Sequence, residues 1–393
     1  MKLALTGGKI ITPFRIIDDG IVLIDKGKIA GLGRSSEINP SSDFKVVDVK
    51  GKLVCPGFAD LLVHGGAGHG FADDNNKSIE KISAYFLRHG STTMLASLFA
   101  KPEKLLLKDL RRVADYIESN PDSNIRGIHM EGPFLNKQLK GAMNQKYLWK
   151  PGVDSWKKLW EASKGYIKIM TIAPELPDAD KVMREAAQDG VVLSIGHSMA
   201  GYDEVLNAID NGAAHVTHIF NAMQPFHHRT PSVVLASLLH NELKIELIAD
   251  TLHVHPAVMQ LLLKLKGASG IILVSDSIRA GGMHEGEYEF ADQKIFMKDK
   301  RAFLADGTLA GSTLTLNLAI RNMVEAAGAK ITEAVRMASL NAVKVLNLDH
   351  KKGILAVGKD ADIAVLNSNY GVELTIINGR AAAGKKADLV NEN

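Results

Sequence analysis

The sequence predicts an α/β protein, a (β/α)8 TIM-type barrel with a small β-sandwich domain built from both termini. Three observations carry that expectation. Short apolar strand-like runs alternate with amphipathic helical stretches through the middle of the chain, eight such runs can be read, and both ends hold β-rich segments with no helix between them.

The first 55 residues contain Ile21-Val22-Leu23-Ile24 and Val46-Val47-Asp48-Val49, punctuated by Gly and Asp turns. The far end has the same character in Asp362-Ile363-Ala364-Val365-Leu366 and Leu374-Thr375-Ile376-Ile377-Asn378-Gly379. Edge strands from both ends would stay unpaired unless they met, so residues 1–55 and 356–393 are read as the small domain and 56–355 as the barrel. Its strands are expected at Gly57 to Val63, Thr92 to Ala96, Ile125 to Met130, Ile167 to Ile172, Val191 to Ile195, His215 to Thr217, Lys244 to Ile248 and Ile271 to Val274. Helices such as Asp178 to Gln188 and Tyr202 to Asn211 fall between them. The tail after Gly379 shows no sustained pattern and is expected to be loosely held.

Composition excludes some classes of function. With 47 basic against 44 acidic residues and a net charge of +3, nothing global points to nucleic acid or an anionic membrane, and any anion site must be local. The lone cysteine, Cys55, precludes an internal disulfide, suits a reducing cytoplasm and reads as a small buried residue of the run Leu53-Val54-Cys55. The amino-terminal segment breaks at Gly7-Gly8 before a signal-type apolar region forms, and no run reaches membrane-spanning length. The expectation is a soluble, cytoplasmic protein.

The chemistry is concentrated at strand ends. The third run ends at Glu131, the fifth at Gly196-His197-Ser198, the sixth at Thr217-His218 and the eighth at Ser275-Asp276, so all four face the carboxyl-terminal mouth of the barrel. A carboxylate and two imidazoles form a zinc-type ligand set that leaves a position open for water. Asp276 is then the carboxylate that takes the water's proton and passes it to the leaving group. One divalent ion is expected, zinc first, with iron, cobalt or manganese suited to the same ligands. Gln224-Pro225-Phe226-His227-His228-Arg229-Thr230 concentrates an obligate cation and two histidines in one loop, and a guanidinium matches phosphate oxygens in a two-pronged way.

Five segments carry a family resemblance: His129-Met130-Glu131-Gly132-Pro133-Phe134, Gly196-His197-Ser198, Thr217-His218-Ile219-Phe220-Asn221-Ala222-Met223, Ala249-Asp250-Thr251-Leu252-His253 and Asp306-Gly307-Thr308-Leu309-Ala310-Gly311-Ser312. Together they resemble the N-acetylglucosamine-6-phosphate deacetylases of the amidohydrolase superfamily. The resemblance implies Glu131, His197 and His218 as metal ligands and Asp276 as acid/base. It implies Asn221, the Ala222 main chain, Arg229 and His253 as groups that hold the sugar phosphate. In the family a basic residue of the Arg229 loop reaches into a neighbouring subunit's site, so a homodimer is implied. The implied reaction is hydrolysis of the acetamide of N-acetylglucosamine 6-phosphate to glucosamine 6-phosphate and acetate.

Two positions depart from relatives. Many amidohydrolases open the barrel with a His-x-His pair that helps hold a second metal, but this chain reads Leu62-Val63-His64. Leu62 cannot ligate, which argues for one ion, and His64 is read either as a contact to substrate or metal or as a residue behind the ligands. Some relatives place a histidine where this chain has Met143, which donates no hydrogen bond. A deacetylase of another amino sugar is therefore the first alternative, and a barrel that has lost catalysis and only binds is the second.

Overall fold

The computed structural model describes residues 2–384. Eight parallel strands, Phe58–Val63, Ser91–Phe99, Ile125–Glu131, Ile167–Ile172, Val192–Ile195, Ala213–Val216, Lys244–Leu247 and Ile271–Leu273, form one sheet in unbroken sequential order. They agree with the expected runs to within a few residues. Both faces of such strands are covered, so they read as continuous apolar runs rather than alternating ones: every residue of Phe58–Val63 and Ser91–Phe99 is buried. Helices return between the strands with apolar stripes at helical spacing, as in Glu103–Ser119, which buries Leu106, Leu110, Val113, Ala114 and Ile117. The helix expected from Asp178 runs Ala179–Gln188, and that expected from Tyr202 runs Tyr202–Asp210.

The sheet closes on itself just past its eighth strand. Val63 bridges Ser277 in parallel, Asp276 N–H donates to the Leu62 carbonyl at 2.8 Å and His64 N–H to the Ser277 carbonyl at 2.8 Å. Inside the ring runs a polar chain. His129 Nδ1–H faces the Leu61 carbonyl at 2.8 Å, which leaves its Nε2 to accept from Thr171 Oγ1 at 2.8 Å. Thr171 must then accept from Thr217 at 2.8 Å, and Thr217 from Ser194 at 2.6 Å. The donor and acceptor roles of these four side chains, His129, Thr171, Thr217 and Ser194, are thereby fixed in one direction. Burial pushes the His129 ring down to about 4, consistent with its neutral role as donor and acceptor.

Strands from both ends of the chain form a second, eight-stranded sheet. Lys2–Ile11 pairs with Ile16–Asp25 along one edge, and on the other changes partner from Lys45–Asp48 to Leu53–Pro56 across register shifts around Gly8. Ile363–Leu366 joins Leu53–Pro56, followed outward by Val372–Ile377 and Arg380–Ala383. The alternating residues Leu3, Leu5, Val22, Ile24, Ile363 and Val365 pack into one core, and truncating one of them, for example Ile363→Ala, would cost about 2–5 kcal/mol. Cys55 is buried and free. The segment just after Gly379, expected to be loosely held, is instead a strand at Arg380–Ala383; the rest of that expectation, residues 385–393, lies outside the described residues.

By internal contacts the chain divides into two compact units. Of the described residues, one takes in those up to Asp60, Ser83–Met94 and those from Thr315 onward; the other comprises Leu61–Ile82 and Leu95–Leu314. The second unit also holds an antiparallel sheet of Gly286–Phe290, Gln293–Lys298 and Arg301–Phe303, which the sequence reading assigned to no element. Among the described residues, no helix is long and apolar enough to cross a membrane.

Candidate active site

The strand ends deliver their residues to one cavity of about 510 Å³, lined among others by His64, Glu131, Met143, His197, His218, Asn221, Ala222, His253 and Asp276. Glu131 is the last residue of its strand, while His197, His218 and Asp276 follow theirs within three residues. The latter three have positive φ values of 49°, 30° and 50°. For residues other than glycine this left-handed backbone costs on the order of 1 kcal/mol or more each, and the ladder and seam hydrogen bonds on either side hold it. Gly196 permits the turn: a Cβ there would lie 2.7 Å from Thr171 Cγ2 and 2.9 Å from Thr217 Cβ.

Glu131, His197 and His218 each offer a ligating atom within 4.8 Å of the others. His197 Nδ1–H donates to the Leu139 carbonyl at 2.7 Å, so the neutral ring turns a lone pair on Nε2 toward Glu131 Oε1 at 3.3 Å and His218 Nε2 at 3.1 Å. His218 Nε2 stands 3.0 Å from the same Glu131 oxygen. Lone pairs converging with a carboxylate in a buried place call for a cation between them. Burial works against charge on His218, but Glu131 outweighs it and lifts the ring to about 9, so with no metal bound a proton meets the carboxylate's demand for positive charge, and a divalent ion would displace that proton. The donor set therefore fits a divalent ion.

His64 occupies the ground between the ligand set and Asp276. Its Nδ1–H faces the Ser97 carbonyl at 3.2 Å, and its Nε2 lies 3.1 Å from Glu131 Oε2 and 3.5 Å from Asp276 Oδ1. Burial raises the Asp276 carboxyl above its ordinary range, partly offset by His64. Leu62 is buried and donates nothing.

His253 is oriented by a residue that the sequence reading quoted without a role. Asp250 Oδ2 accepts from His253 Nδ1–H at 2.6 Å, while its Oδ1 accepts from the backbone N–H groups of Leu252 and His253, both at 2.8 Å. That arrangement leaves His253 Nε2 for the cavity. Asn221 is anchored by its amide to the His218 and Ile219 carbonyls at 3.2 and 3.1 Å. Asp306, Thr308, Leu309 and Gly311 also line the cavity. Glu246, fully buried beneath His218, accepts from the His218 backbone N–H at 3.4 Å, and burial raises it to about 8. Arg229 is placed apart: it sits on an exposed loop, bonded at 2.9 Å to His228, and is not among the cavity-lining residues.

A parallel barrel whose mouth collects a carboxylate, two imidazoles and a second, buried carboxylate has the plan of a hydrolase that activates water. The chain belongs to the amidohydrolase family, whose sequence pattern matches residues 53–390. It is 34% identical over 386 residues, covering 97% of both chains, to the N-acetylglucosamine-6-phosphate deacetylase of Bacillus subtilis. It is 32% identical over 384 residues, 98% of this chain and 100% of the relative, to the N-acetylgalactosamine-6-phosphate deacetylase of Escherichia coli O157:H7. The fold matches, with a TM-score of 0.92, a mutant N-acetyl-D-glucosamine-6-phosphate deacetylase of Mycobacterium smegmatis solved in complex with N-acetyl-D-glucosamine-6-phosphate. That match covers 97% of this chain and 99% of the other at 29% identity.

Proposed function

We propose that the protein hydrolyses the acetamide of N-acetylglucosamine 6-phosphate, giving glucosamine 6-phosphate and acetate. The observation that carries this reading is the placement of Asp276 beside the Glu131–His197–His218 set in one cavity, in a chain that matches such deacetylases over nearly its whole length.

A single divalent ion, with zinc as the leading candidate, would be held by Glu131, His197 and His218 and would polarise the amide carbonyl and acidify the attacking water. Asp276 takes the proton as the water oxygen bonds to the carbonyl carbon. It then returns that proton to the nitrogen as the carbon–nitrogen bond breaks, so one carboxyl serves as base and then acid. His64, spanning Glu131 and Asp276, fixes their separation. Asn221, the Ala222 main chain and His253 orient the sugar phosphate. Arg229 reaches the phosphate of a neighbouring subunit in a cytoplasmic homodimer; its exposed place outside its own cavity supports that arrangement.

A second reading, the galactosamine epimer, is favoured by the 32% identity to a deacetylase of that sugar. Turnover across a panel of N-acetylhexosamine 6-phosphates and their unphosphorylated forms, with metal analysis, tests both. The glucosamine reading expects the highest kcat/KM on N-acetylglucosamine 6-phosphate. A preference for the galacto epimer or for unphosphorylated sugars would overturn it.

A further inference from the structure

Behind one wall of the catalytic cavity lies a second cavity of about 340 Å³. The two share His64 and Phe290. Phe290 ends the first strand of the three-stranded sheet. Its ring meets His64 edge-on at 5.6 Å and Phe99 at 5.0 Å, and His64 and Phe99 stand 5.8 Å apart. Phe99, Leu135, Met143 and Ala291 form one apolar cluster against which Phe290 packs. Because His64 Nε2 lies 3.1 Å from Glu131 and 3.5 Å from Asp276, this aromatic wall is one side chain away from the reacting groups.

A scissile amide has two ends with opposite demands. The sugar end takes the polar lining, Asn221, Ala222 and His253, and the acyl end takes apolar surface next to the carboxylates, which is where Phe290 and Met143 stand. We propose that Phe290, backed by Met143, determines acyl-group size: its ring closes the space beyond the methyl of the bound N-acetyl group and excludes longer acyl chains. This rests on the deacetylase reading above. Past the ring the lining turns charged, with Asp73, Lys101, Arg279 and Asp292, so removing the ring frees apolar space for roughly the length of the ring alone.

The test is kcat/KM for the N-acetyl, N-butyryl and N-hexanoyl derivatives of glucosamine 6-phosphate, in the wild-type protein and in Phe290→Ala. A packed apolar site separates ligands by about 10–200-fold per methylene, so the wild type is expected to favour acetyl over butyryl by about a hundredfold or more. Phe290→Ala is expected to narrow that ratio at least about tenfold by gaining on butyryl, with no comparable gain on hexanoyl. Phe290→Leu should fall between the two and decides the matter if the alanine variant does not fold. A butyryl-to-acetyl ratio unmoved in a variant that still cleaves the acetyl substrate overturns the proposal, as does a wild type that accepts both chains equally. A wild type that cleaves none of the three refutes the deacetylase reading itself and the proposal with it.

Discussion

Glu131, His197, His218 and Asp276 leave their strands within three residues and are buried, whereas Arg229, Asp306 and Phe290 stand on segments inserted between the strands and the helices that follow. The first group inherits its position from ladder and seam hydrogen bonds. In the second, Asp306 and Arg229 are held by local turns, with Asp306 Oδ1 accepting from Thr308 N–H at 2.9 Å and Arg229 against His228, and Phe290 by a small antiparallel sheet that stands outside the barrel ladder. Rigid strand ends suit chemistry, where small displacements are expensive, and inserted segments suit recognition, which can vary without disturbing the barrel. Changes on the floor should therefore act on kcat, and changes on the rim on KM.

The largest effect expected is from the ion. Chelation should reduce turnover to background, with one equivalent of divalent metal per chain restoring it, read by elemental analysis beside steady-state rates. Two ions at full occupancy would contradict the inference drawn from Leu62, and full activity without metal would break the comparison at its root. Next comes Asp276→Asn, which keeps size and polarity but cannot accept the water's proton. A fall in kcat of about a hundredfold to ten thousandfold is expected, with KM and metal content little changed. Loss of the ion in that variant would recast Asp276 as a ligand.

On the rim, Arg229→Ala should raise KM for the phosphorylated sugar about thirtyfold, roughly 2 kcal/mol, with kcat nearly constant, because phosphate contacts persist through the reaction. An unchanged KM would remove Arg229 from recognition. The smallest effect sharpens the boundary between the two regions. Asp250→Asn preserves the acceptor for the backbone N–H groups of Leu252 and His253 but turns the partner of His253 Nδ1 from acceptor to donor. A rise in KM of about fivefold, near 1 kcal/mol, should accompany a tautomer change visible in the nitrogen shifts of His253. A matching fall in kcat would instead move His253 to the floor.

The same division governs what could be read from the sequence. Strands buried on both faces announce themselves as apolar runs, and a strand end that switches from apolar to Glu, His or Asp is visible as a break, so the floor was legible residue by residue. Leu62 and Met143 were legible as departures and His64 as the retained half of the pair, but which neighbours they would meet was not. Asp250 escaped because it acts through another side chain. Gly311 and Leu309 stand in a segment that carries the resemblance but took no role from it, because what they bring is partly backbone: a Cβ on Gly311 would lie 2.9 Å from the Asp276 carbonyl. The sheet of Gly286–Phe303 escaped for a different reason. Its residues alternate weakly, several are exposed, and an insertion after the eighth strand has no counterpart in the barrel's repeat.

Asp276 lies on the line where the barrel shuts: its N–H binds the Leu62 carbonyl, its own carbonyl accepts from Ser312 N–H at 2.8 Å, and the next residue bridges Val63. Two stretches of chain more than 200 residues apart in sequence thus meet at the residue assigned to proton transfer. A nascent chain can bring Glu131 and both histidines together while still an open sheet with two bare edges, but Asp276 arrives only with the last strand. Appearance of turnover during refolding should therefore lag the formation of the third to sixth strands and coincide with ring closure, making the reaction itself a clock for one long-range pairing in the molecule.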